Sequence, residues 1–165
     1  SLDMHWLAEQ GHGVVGLELV EQAVEAFFEE AGLSPKRSEQ DDHVRYSSGP
    51  FTLIQGDALG LAPGTVQADA WYDRAAMIAL PDGMRTAYVE QLRQQTTPGA
   101  VGLLITFAYS PQEMDGPPFA LLDEDVHRHF AEGFEVEQLT KIDLEDERDR
   151  GLSWITSSVF KLIRT

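Results

Sequence analysis

A chain of 165 residues, 42% hydrophobic, has enough apolar material for one domain with a proper core and too little for two ordinary ones. Its 28 acidic residues against 12 basic ones give a formal charge of −16, which repels phosphate backbones and anionic membrane surfaces, so a monomer without nucleic-acid or membrane partners is expected. The lack of cysteine excludes disulfides, thiolate catalysis and cysteine-ligated metals, and with no apolar run of spanning length and no basic leader the expected location is the cytoplasm.

Leu2, Trp6 and Leu7 recur at helical spacing, with Asp3 in the first turn, until Gly11 and Gly13 stop the pattern. Val14 to Leu19 is an apolar run of strand length, which suits a continuously buried central parallel strand. A helix follows, with Ala23, Val24, Phe27 and Phe28 on one face, Glu21, Glu25, Glu29 and Glu30 mostly on the other, and Gly32 ending it. Ser34 to Pro50 reads as polar surface, with a hairpin arm at His43 to Tyr46 turning through Ser47, Ser48 and Gly49. Phe51 to Gln55 is a second buried strand, broken by Gly56 and Asp57, and Ala68 to Tyr72 is a third, ending at Asp73 and Arg74.

Met84, Tyr88 and Leu92 at fourfold spacing predict a helix from about Asp82 to Gln95, closed by Pro98 and Gly99. Val101 to Phe107 is the most apolar run and is expected as an interior strand. A helix from about Asp123 to Ala131, a strand from about Phe134 to Thr140, an acidic loop through Asp146 and Asp149 and a strand around Thr156 to Ile163 complete the chain. The pattern predicts an α/β fold with a mostly parallel sheet, helices on both faces and an antiparallel C-terminal hairpin.

Ligands of open α/β sheets sit beyond the carboxyl ends of the strands, so the residues that follow each strand are the first candidates. Glu18 has the carboxylate to accept hydrogen bonds from both hydroxyls of a ribose, and equally suits a solvated charge at a strand end. Gly56 and Asp57 form either a base-contacting turn or an ordinary one. Arg74 carries a permanent charge suited to an anionic thiolate or a carboxylate, against the alternative of a surface pair with Asp73. Tyr109 and the run Gly116, Pro117, Pro118, Phe119 offer a rigid loop with a flat apolar face, for stacking a planar acceptor or for filling a core. His127 and His129, two apart, do not share a helix face and read as surface residues, no metal site is expected, and the acidic cluster at 143–149 lacks the spacing of a calcium loop.

The stretch Trp71-Tyr72-Asp73-Arg74-Ala75-Ala76-Met77-Ile78-Ala79-Leu80-Pro81, followed by Gly116-Pro117-Pro118-Phe119 and preceded by the acidic strand end at Glu18, resembles the thiopurine S-methyltransferase family. The resemblance covers nearly all of the chain. It implies a Rossmann-like class I methyltransferase that uses S-adenosyl-L-methionine as cofactor and a thiopurine or other small-molecule thiol as substrate. By the same resemblance Glu18, Leu19, Asp57, Ala58 and Arg74 would bind the cofactor, and Tyr109, Pro118, Phe119 and Arg148 the acceptor. Arg74 and Arg148 would be catalytic, with Arg150 an alternative to Arg148. Similar bacterial enzymes are associated with selenium and tellurium compounds, which extends the expectation to tellurite resistance and detoxification.

The similarity begins in the middle of the family's first motif, so the expectation is a single methyltransferase domain over residues 1–165 that lacks the N-terminal strand and glycine turn lying against the cofactor. A non-catalytic or partner-binding relic of the fold, and another thiol or halide methyltransferase, are the alternatives.

Overall fold

The computed structural model describes residues 1–145 and 151–165. The chain forms two units, Ser1–Thr65 and Val66–Thr165. In the first, α1 (Leu2–Glu9), β1 (Val14–Glu18), α2 (Glu21–Glu30), β2 (Lys36–Glu39), β3 (Val44–Ser48) and β4 (Phe51–Gln55) build a sheet of order β1-β4-β3-β2. β1 runs parallel to β4, with Val14 opposite Phe51 and Glu18 opposite Gln55, while β3 is antiparallel to both of its neighbours.

The spacing that predicts α2 also fills the core: Val24, Phe27 and Phe28 pack on Val14, Tyr46, Phe51 and Leu53, and Met4 and Leu7 of α1 close the cluster. β1 is parallel as expected, but it ends the strand order and is not continuously buried. Val15 and Leu17 are 43% and 47% exposed, because alternate side chains of a strand point to opposite faces and only Val14 and Gly16 face the apolar cluster. β2 lies in the segment read as polar surface. Its four residues are all exposed, so it is held through its backbone register with β3 and leaves no apolar signature in the sequence.

The second unit contains β5 (Ala68–Asp73), a 3-10 turn (Met77–Ala79), α3 (Asp82–Gln94), β6 (Thr96–Ile105), β7 (Ala108–Tyr109), α4 (Asp123–His129), β8 (Phe134–Asp143) and β9 (Ile155–Arg164). The strand order is β5-β6-β9-β7, with β8 also paired to β9. β5 and β6 are parallel, and β9 is antiparallel to β6, β7 and β8. The core brings Met77, Val89, Leu104, Val126, Phe130 and Phe160 together, with Trp71, Tyr88 and Leu92 against it.

β6 starts at Thr96, earlier than the apolar run suggests, because Pro98 and Gly99 fall within it. Ala68 pairs with Thr96 but Ala70 with Val101, so the extra residues form an irregularity in the ladder where Gly99 takes φ +84°. β6 is interior by its pairing, yet Val101 and Leu103 are each 39% exposed and only alternate residues are buried. Of the predicted face of α3, Tyr88 and Leu92 pack against the core, but Met84 is 41% exposed, and Arg85 and Val89 are the buried residues of the helix. His127 is exposed as expected, whereas His129 departs from the surface reading. The ring of His127 stands edge-on to Phe160 at 5.9 Å, and the side chain of His129 is 4% exposed with Nε2 3.1 Å from Asp82 Oδ1. Among the described residues there is no cluster of metal ligands and no helix long and apolar enough to cross a membrane.

Candidate functional site

In the first unit the parallel pairing of β1 with β4 brings Glu18 and Leu19 beside Gln55 and Gly56, the residues that lead into Asp57 and Ala58. The Gly56 amide donates to the Glu18 carbonyl at 2.9 Å, and the Gln55 side-chain amide donates to the Leu19 carbonyl at 3.1 Å, so both strand ends are held in register past the last ladder pair. The half-buried Glu18 accepts the Val20 amide on Oε1 at 3.0 Å. Asp57 is exposed and accepts the Leu59 amide on Oδ1 at 2.9 Å, which fixes the turn that carries Ala58. Gly56 has no room for a side chain without pressing on the wall beneath it, since a Cβ there would lie 3.2 Å from both the Asp42 carbonyl and His43 Cβ. His43 is itself buried, with Nδ1 2.7 Å from Asp42 Oδ1, and hydrogen bonding to this imidazole holds the Asp42 carboxyl below its ordinary pKa.

In the second unit Asp73 and Arg74 close β5. Asp73 is 4% exposed and caps the turn after it: Oδ1 accepts the Ala76 amide at 2.8 Å, and Oδ2 accepts the Met77 amide at 3.1 Å and the Tyr88 hydroxyl at 2.7 Å. Burial, then the Asp73 charge, pushes the Tyr88 phenol well above its usual pKa, so it stays a donor. Arg74 is exposed, on a turn whose backbone this carboxylate fixes.

Tyr109, Pro118 and Phe119 also lie in this unit and are brought together. Tyr109 is 1% exposed and its hydroxyl donates to the Pro118 carbonyl at 2.7 Å, while the Phe119 amide donates to the Ile78 carbonyl at 2.7 Å. Burial raises the Tyr109 phenol pKa, against a lowering by a hydrogen bond with the backbone of Ala120 and by the Arg85 charge. Gly116 takes φ +81° with the Phe119 ring lying across it, 2.7 Å from where a Cβ would stand. A hollow of about 200 Å³ is lined by Arg85, Tyr109, Met114, Phe119 and the carboxylates Asp82 and Asp115.

Sequence reasoning missed two residues here, Tyr88 as the partner of Asp73 and Arg85 as a buried cation in the wall. A signal for Arg85 existed, since it is one helical turn before Val89 and shares its face. Arg148 and Arg150 lie outside the described residues.

Comparison with known proteins bears on what these two groups of residues serve. The family model described as thiopurine S-methyltransferase matches residues 1–165. A thiopurine S-methyltransferase of Shewanella pealeana is 44% identical over 99% of this chain and 77% of its own length, and one of Pseudomonas paraeruginosa is 42% identical over 99% and 78%. Among solved structures, a SAM-dependent methyltransferase of Methanosarcina mazei superposes with a TM-score of 0.69 at 15% identity, over 96% of this chain and 84% of that one. The N-methyltransferase NodS of Bradyrhizobium japonicum, solved with S-adenosyl-L-homocysteine, gives 0.57 at 10% identity over 89% and 65%. Identities this low speak for the fold alone, which is the Rossmann-like class I methyltransferase fold. A match over every residue, with more than two-fifths identity to relatives along nearly the whole chain, places it further: the chain belongs to the thiopurine S-methyltransferase family.

Proposed function

We propose that the protein transfers a methyl group from S-adenosyl-L-methionine to the sulfur of thiopurines and other aromatic or heterocyclic thiols, with selenium and tellurium compounds as further acceptors. The observation that carries the reading is an exposed Arg74 on a turn fixed by a buried carboxylate, in a chain that matches the thiopurine S-methyltransferase family from end to end.

The residues of the first unit fit the nucleoside part of that cofactor. A ribose offers a pair of hydroxyl donors, and Glu18 offers a half-buried carboxylate with one oxygen already steadied by the Val20 amide. Leu19 lends apolar surface next to it, and the Asp57–Ala58 turn supplies a carboxylate and a small side chain toward the base. When bound, S-adenosyl-L-methionine supplies a sulfonium methyl to in-line attack by a thiolate or thione sulfur.

Aromatic thiols ionise near neutrality, so the chain need not provide a dedicated base. Its work is positioning and charge: Arg74 and Arg148 favour the anionic form of the acceptor, and Arg74 also faces the cofactor's carboxylate. Tyr109, Pro118 and Phe119 offer a planar ring a flat face to stack on, beside the carboxylates Asp82 and Asp115.

Two measurements test the reading. Methyl-labelled cofactor incubated with a thiopurine is expected to yield labelled thioether, and S-adenosylhomocysteine titrated by calorimetry is expected to bind. No heat at high protein concentration and no labelled product would favour a non-catalytic member of the fold.

A further inference from the structure

Arg85 is among the largest fully buried side chains of the chain, at 2% exposed. It donates from Nε to the Met77 carbonyl at 3.4 Å, from Nη1 to the Ala120 carbonyl at 3.0 Å and from Nη2 to the Phe119 carbonyl at 3.3 Å. All of these acceptors are backbone carbonyls, and they belong to two segments far apart in sequence. One is the turn that follows Arg74, and the other is the segment that follows the Gly-Pro-Pro run.

Asp82, on the same helix, is engaged elsewhere. Its Oδ1 meets Arg128 Nη2 and His129 Nε2, each at 3.1 Å. A buried cation without a hydrogen-bonded carboxylate is an expensive way to fill space, and an apolar side chain of similar volume would serve packing better. What a guanidinium alone adds is a rigid fork that ties several oxygens at fixed angles. The tied segment carries the flat face of the hollow: Phe119 is anchored further through its amide to Ile78, Pro118 through its carbonyl to Tyr109, and Leu121 through its amide to the Phe107 carbonyl at 3.0 Å.

We propose that Arg85 is a positioning residue for the acceptor: by clamping the carbonyls of Met77, Phe119 and Ala120 it fixes the Phe119 face relative to the turn that bears Arg74. The inference rests on the reading that Arg74 and Phe119 meet the acceptor. It separates acceptor recognition from cofactor recognition, since none of the clamped carbonyls lies in the segments assigned to the nucleoside.

The test compares Arg85→Met, which removes the charge but keeps the volume, with Arg85→Lys, which keeps the charge but loses the fork, both in the full chain. Expected in both is a KM for a thiopurine raised about tenfold or more, a calorimetric Kd for S-adenosylhomocysteine within about twofold of the parent, and faster hydrogen exchange at the amides of Phe119 and Leu121. The amides of Ala76 and Met77, held by Asp73, keep their protection. An unchanged KM with unchanged exchange in a folded variant would overturn the proposal, and so would loss of folding in both variants or a parallel fall of stability, cofactor affinity and KM. If the parent itself transfers no methyl group, it is the assigned activity that fails, and exchange at 119–121 still decides whether Arg85 clamps the segment.

Discussion

At the scale of single residues, Asp73 and Tyr88 show how a conspicuous dipeptide divides its labour. Asp73 is turned inward to hold two amides and a phenol, and Arg74 is turned outward. Replacing Asp73 by Ala strands these donors and is expected to cost about 2–3 kcal/mol of stability, measured by urea denaturation. Tyr88→Phe, which removes a single hydrogen bond to a charged group, is expected to cost about 1.5 kcal/mol. The raised phenol of Tyr88 has a definite sign: a folded pKa above the unfolded one stabilises fully below roughly pH 10 and is lost as pH rises through the folded value, so Tyr88→Phe should remove a late-ionising tyrosine from the alkaline absorbance titration of the folded protein. Arg74→Ala, by contrast, is expected to lower turnover by about 10–100-fold while leaving the melting temperature nearly unchanged. Equal loss of both would make Arg74 structural.

At the scale of elements, much was legible because helices and buried strands announce themselves by periodicity. The faces of α2 and the extents of β1 and β4 follow from the spacing of Val24, Phe27, Phe28 and the two apolar runs. β2 was not legible, since Lys36–Glu39 pairs through its backbone and buries none of its side chains. The start of β6 was hidden by Pro98 and Gly99, which read as a helix stop but sit in a ladder irregularity. The strand-end rule points to Glu18, Asp57, Arg74 and Tyr109 as candidates, whereas the burial of Arg85 depends on carbonyls more than thirty residues away that no local pattern encodes.

Two element-level outcomes are expected. A Cβ at Gly102 would overlap the Trp71 ring, which stacks on Phe130, so Gly102→Ala should destabilise the β5–β6 pair by about 2–3 kcal/mol or prevent folding, as read by thermal denaturation. At Asp123 burial works to raise the carboxyl pKa, but Lys141, Ser158 and Gln138 together bring it below the usual value. A folded pKa below the unfolded one gives stability that is complete above roughly pH 4 and lost as pH falls through the folded value. Asp123→Asn is therefore expected to flatten the acid limb of a melting-temperature profile. Asp42, Asp82 and Glu90, lowered mainly by His43, His129 and Arg93, keep it from becoming level.

At the scale of the whole molecule, the charge of −16 works against every contact described above, because like charges held on one folded body repel more strongly than along an extended chain. Raising sodium chloride from about 0.05 M to about 0.5 M shortens the screening length to a few ångströms and is expected to raise the melting temperature by a few degrees. A fall would mean that ion pairs such as Lys141–Asp123, rather than net repulsion, dominate the balance. The pairing of Ile155–Arg164 has a further consequence. That one segment bonds to β6, β7 and β8 at once, across sequence separations of up to about sixty residues. During synthesis on a ribosome, β6 and β8 are therefore made before the strand that joins them. The sheet of the second unit cannot be completed until residues 155–164 have emerged, and a chain stalled before residue 155 would leave the strongly apolar stretch Val101–Phe107 without its β9 partner.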